Sequence, residues 1–75
     1  MNKQIEVLNV LQSEYKLQLQ LKTLEINQAL NTSSPFDNIE DLRLSIESYT
    51  SIQARLQVVQ RIKDQILKGQ EENED

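Results

Sequence analysis

An all-α fold, a two-helix antiparallel hairpin of coiled-coil type completed as a dimeric four-helix bundle, is predicted by three features of the 75-residue sequence. Residues 3–30 and 38–68 contain neither glycine nor proline and are rich in Leu, Gln, Lys, Glu and other helix formers. Between them Asn31-Thr32-Ser33-Ser34-Pro35-Phe36-Asp37-Asn38 holds the only proline and a cluster of turn residues. The chain also has no Cys and no His, so neither a disulfide nor a zinc site staples a domain of this size. Its large apolar residues would need near-complete burial to offset the entropy of ordering, and one seam between two helices does not provide that. Self-association or a protein partner is the expected source of the remaining burial.

The first helix, expected over 3–30, contains one passage that reads otherwise. Tyr15-Lys16-Leu17-Gln18-Leu19-Gln20-Leu21-Lys22 alternates apolar and polar with the period of a strand. It is poor in β-branched residues and has no turn signal on either side, so a helix is expected. At about 100° per residue the alternation places apolar groups on two flanks. Ile5, Leu8, Leu11, Tyr15, Leu19, Ile26, Ala29 and Leu30 share one flank; Val7, Val10, Leu17, Leu21 and Leu24 share another. A helix with two apolar flanks is suited to lie between two neighbours. The first flank, through Ile5, Leu8, Tyr15, Leu19 and Ile26, is expected to form the hairpin core. The second, Val7, Val10, Leu17, Leu21 and Leu24, is then the oligomer or partner surface.

The turn, expected over 31–37, carries two overlapping helix starts. Ser34-Pro35-Phe36-Asp37 offers a capping hydroxyl, a proline at the first helical position and a carboxylate three residues on. Asp37-Asn38-Ile39-Glu40 repeats the pattern. Ser34 and Asp37 are therefore the candidate caps. A short connection favours antiparallel neighbours, and a reversal near residue 34 would bring Tyr15 and Tyr49 to similar heights.

The second helix, expected over 38–68, shows an apolar seam of Ile39, Leu42, Ile46, Tyr49, Ile52, Leu56, Val59, Ile62 and Ile66. Ile46, Tyr49, Ile52, Leu56 and Val59 are its contribution to the hairpin core. The steps average below 3.5, so the seam drifts around the helix. Either the helix is overwound, or it kinks near 48–52, where Ser48-Tyr49-Thr50-Ser51 is its poorest helix-forming stretch. Gly69 is the expected stop. The hairpin domain is thus 1–69, followed by a disordered acidic tail over 70–75.

Charge and chemistry narrow the function classes. Lys3, Lys16 and Lys22 balance Glu6, Glu14 and Glu25 in the first helix, and the net charge of -4 comes from Glu71, Glu72, Glu74 and Asp75. A neutral body argues against a phosphate-binding surface; Arg43, Arg61 and Lys68 are widely spaced and interleaved with Glu47 and Asp64. Without His or Cys, and with Gly69 as the only glycine, there is no nucleophile–base pair, metal-ligand set or phosphate loop to name. Glu40 and Asp41 diverge on a helix and read as acids favourably placed near its N-terminus. No catalytic, cofactor-binding, metal or small-molecule site is expected. No apolar run exceeds two residues, and the start, Met1 to Glu6, has no apolar signal region. A cytoplasmic location is expected.

The layout, a helical hairpin followed by an acidic tail, resembles that of the small RNA-modulating plasmid hairpin proteins that dimerise into four-helix bundles. The likeness is one of topology, and no residue role is carried across. The expected function is a non-enzymatic interaction module, a regulator, inhibitor or assembly factor, acting through apolar helix faces in a homodimer or on a protein partner. A structural scaffold subunit and an RNA- or DNA-binding bundle are the alternatives.

Overall fold

The computed structural model describes residues 2–73. Helix α1 spans Lys3–Leu30, a 3-10 turn spans Pro35–Asn38, and helix α2 spans Ile39–Asn73. The described residues contain no strand. Asn2 starts α1: its Oδ1 accepts from the Gln4 N–H at 2.9 Å and its carbonyl from the Glu6 N–H at 3.1 Å. This cap supplies partners for N–H groups that a helix start otherwise leaves to solvent.

The connection is closed by its own polar residues. The Thr32 hydroxyl donates to the Ala29 carbonyl (3.1 Å) and accepts from the Asn38 amide (3.2 Å), tying the end of α1 to the start of α2. Ser34 stands at the N-cap position of the 3-10 turn, but its side chain makes no capping bond. Its carbonyl instead accepts from the Asp37 N–H at 3.1 Å. The expected capping box is therefore absent. The reason is that the 3-10 turn runs straight into α2, and its own carbonyls meet the first orphan donors, as Phe36 O does for the Ile39 N–H.

The two helices lie antiparallel, with an overall extent of 61 × 16 × 12 Å. Cross-helix bonds set the register: Gln12 Nε2 donates to Gln60 Oε1, Lys63 Nζ donates to Gln12 Oε1 at 3.4 Å, and Ser45 Oγ reaches Glu25 Oε2 at 3.5 Å. With the 3-10 turn included, the reversal is centred later than residue 34. Tyr15 and Tyr49 consequently do not meet, and sit about two helical turns apart along the seam.

Burial along each helix follows a regular heptad. On α1 the half-buried positions are Ile5, Leu8, Gln12, Tyr15, Leu19, Lys22, Ile26 and Ala29, with Leu11 beside them. On α2 they are Leu42, Ser45, Tyr49, Ile52, Leu56, Val59, Lys63 and Ile66, of which Ile52 and Val59 are buried, with Ser48 and Gly69 beside them. Both rows alternate steps of three and four, the spacing that keeps a seam facing its partner. The expected drift in α2 arose from following apolar residues alone. Ser45 and Lys63 occupy the seam positions assigned to Ile46 and Ile62, and those isoleucines stand on the flank, Ile46 with 48% of its surface exposed. Leu30, placed on the inner flank of α1 by its sequence position, is likewise exposed.

α2 is assigned as one uninterrupted helix through 48–52, where Thr50 Oγ1 bonds back to the Ile46 carbonyl at 3.0 Å. It also continues through Gly69 to Asn73, so the expected stop at Gly69 and the disordered tail from residue 70 are corrected; residues 74 and 75 lie outside the described range. Gly69 has no positive φ, and a Cβ built on it would meet nothing within 4 Å. It is a helix-interior glycine, tolerated there at a modest penalty.

Two stability measurements check this packing. Ile52→Ala is expected to lower the unfolding free energy by about 2–4 kcal/mol, and Ile46→Ala by under about 1 kcal/mol, in urea titrations at equal protein concentration. Gly69→Ala is expected to stabilise by about 0.5–1 kcal/mol and to strengthen the far-ultraviolet helical signal, whereas a glycine held in a left-handed stop would be destabilised by the same change.

Candidate interaction surface

α1 carries a second row of the same periodicity. Val7, Val10, Glu14, Leu17, Leu21 and Leu24 again alternate steps of three and four, and each sits two residues beyond a member of the inner row. Two residues of a heptad helix turn through about 206°, so the second row lies about 150° from the first, on the side of α1 facing away from α2. This offset accounts for the strand-like alternation: Tyr15 and Leu19 belong to the inner row, Leu17 and Leu21 to the outer one.

The outer row is evenly open to water. Val7, Val10, Leu17, Leu21 and Leu24 expose 51–59% of their surfaces. Each border carries one carboxylate and is otherwise uncharged, with Gln4, Leu11, Gln18 and Glu25 along one side and Glu6, Ser13, Gln20 and Asn27 along the other. Lys22, which belongs to the inner row, is held by Glu25 in an ion pair at 3.0 Å. Glu14 is the one ionisable group within the row itself.

The other expected site residues separate by exposure. Ile5, Leu8, Tyr15, Leu19 and Ile26 of α1 and Tyr49 and Leu56 of α2 are half-buried along the hairpin seam, with Ile52 and Val59 buried among them. Ile46 lines the edge of a shallow depression with Thr23, Ile26, Asn27 and Tyr49. Exposed apolar residues also occur on α2, namely Ile39, Leu44, Ile46, Val58, Ile62 and Leu67, but they scatter over three heptad positions and form no single row. Phe36, 84% exposed at the tip of the reversal, was not singled out from sequence, and only its aromatic nature in a polar turn could have marked it.

Arg43 pairs with Glu40 at 3.1 Å on its own helix, so one of the three widely spaced cations of α2 is locally neutralised. Among the described residues no group of three His, Cys, Asp or Glu side chains is placed to hold a metal ion, and no helix is long and apolar enough to cross a membrane. Comparison with known proteins returned no matching family model, no matching curated protein and no matching solved structure.

Proposed function

We propose that the protein is a small interaction module, a regulator or assembly factor without chemistry of its own, that works by presenting the outer face of α1 to another helix. In this reading the hairpin is half of a larger helical assembly, either a dimer in which four helices share the burial or a complex with a protein partner. The observation that carries it is the outer row: five aliphatic side chains at coiled-coil spacing, each more than half exposed. Scattered exposed apolar residues are ordinary on any protein surface, whereas an aligned stripe of this kind, broken only by Glu14, marks a contact. An amphipathic helix whose apolar side is read at such spacing is a standard mode of helix recognition.

Support also comes from the thin interior. Among the described residues, Ile52 and Val59 are the buried hydrophobic ones. The radius of gyration is 17.4 Å, against about 11 Å for a compact domain of this length.

The test compares Leu17→Lys and Leu21→Lys with Leu44→Lys, an exposed position on α2 outside the row. Either α1 change is expected to leave the helical signal of the hairpin in place while removing concentration-dependent association, or the co-purification of a host protein with the tagged chain. Leu44→Lys should change neither. If both α1 variants match the parent in sedimentation, thermal midpoint and co-purifying proteins, the outer face has no interaction role.

A further inference from the structure

Resting on the reading of the outer row as a contact face, we infer that its occupant is the same row of a second copy, running antiparallel, with the two-fold axis passing between Glu14 and Leu17. The order of side chains along the row singles out this arrangement. Antiparallel pairing about that axis sets Val7 against Leu24 and Val10 against Leu21 of the second copy, a small β-branched residue facing a long one in each layer, and Glu14 against Leu17. Parallel pairing in register would instead stack Glu14 on Glu14, two carboxylates opposed in one layer, while valine faced valine. Like charges held opposite each other destabilise a helix pair.

The borders agree with the antiparallel arrangement. Glu6 then comes beside Asn27 of the second copy, and Gln4 beside Glu25, so no border carboxylate faces another, and the two Glu14 side chains stand in adjacent layers about 4.5 Å apart along the axis instead of sharing one. α1 is neutral overall, with Lys3, Lys16 and Lys22 against Glu6, Glu14 and Glu25, and the border carboxylate of Glu25 is already paired with Lys22.

The surface area is of the right size. The chain exposes 5933 Å², whereas a compact monomer of 8.7 kDa exposes about 4,700 Å², a surplus of about 1,200 Å². A stable interface removes roughly 800 Å² from each partner. The row from Val7 to Leu24 spans about 26 Å of helix, long enough to bury most of that area.

The geometry has a consequence for the assembly. The inner and outer rows lie about 150° apart on α1, so the four helices of the dimer form a flat row, α2 and α1 of one copy followed by α1 and α2 of the other. A square bundle would need the two contact faces nearer to a right angle.

The chain has no cysteine of its own, so engineered thiols report the pairing directly. Full-length Val10→Cys and Leu21→Cys chains are prepared separately, mixed and oxidised. Within the antiparallel layer these positions come within reach of a disulfide; in each variant alone the two thiols are eleven residues out of register, about 16 Å along the axis. The mixture is expected to cross-link at least about tenfold more than either variant alone, and sedimentation should show Glu14→Leu dimerising about tenfold more tightly. Cross-linking of the single variants as strong as that of the mixture, or a Glu14→Leu chain no more associated than the parent, would overturn the antiparallel self-pairing. A parent chain that stays monomeric yet captures a host protein through Leu17 and Leu21 overturns the self-pairing while leaving the interaction-module reading in place.

Discussion

The hairpin depends on one seam. Ile52 and Val59 are buried against α1, and the half-buried rows on either side of them extend the contact at steps of three and four over most of both helices. A hairpin of two helices has no third element to bury its other faces, so this seam bears the tertiary stabilisation of the hairpin. Long helices gain most of their stability from packing an amphipathic face, not from propensity. Disturbing the seam would therefore loosen α1 and α2 together.

The seam is not purely apolar, and its polar members explain its alignment. Gln12, Lys22, Ser45 and Lys63 occupy heptad positions that a stability-optimised pair would fill with leucine or isoleucine. They form two cross-helix clusters: Gln12 with Gln60 and Lys63, and Glu25 with Ser45 while also holding Lys22. Polar groups within a seam specify register at a cost in stability, because any other alignment leaves them facing apolar neighbours unpaired. The 3-10 turn acts in the same direction. The Thr32–Asn38 bond ties the helix ends together, and with the fixed φ of Pro35 it limits how far one helix slides along the other.

These features bear on the proposed contact of α1 with another helix. With its register held from within, α1 presents the outer row at heptad spacing on a formed helix, so the proposed binding there would need little ordering of the backbone. Pre-organisation of this sort lowers the entropic opposition to association. In the proposed contact Glu14, midway along an otherwise aliphatic row, would limit which neighbour fits, since a helix placing another carboxylate opposite it loses part of the contact. Selectivity of this kind comes from disfavouring wrong partners as well as from attracting the right one.

By itself the sequence determined the all-helical composition, the reversal around Pro35, the bounds of α1 and the presence of two apolar flanks on that helix. These rest on local chemistry: helix propensity, turn residues and the angular spacing of side chains are properties of neighbouring residues. Only the tertiary structure decided that Ser45 and Lys63 belong to the seam while Ile46 and Ile62 do not, because seam membership depends on where the partner helix lies and not on hydrophobicity. It likewise decided that the register separates Tyr15 from Tyr49, since that depends on how many residues the 3-10 turn takes from the reversal. The continuation of α2 through Gly69 has a similar origin: a glycine stops a helix when its backbone turns left-handed, and here it retains the helical path. Sequence showed that α1 has two faces and assigned one of them to α2; that the inner row also takes in Gln12 and Lys22, completing a regular heptad, came from the packing of the two helices.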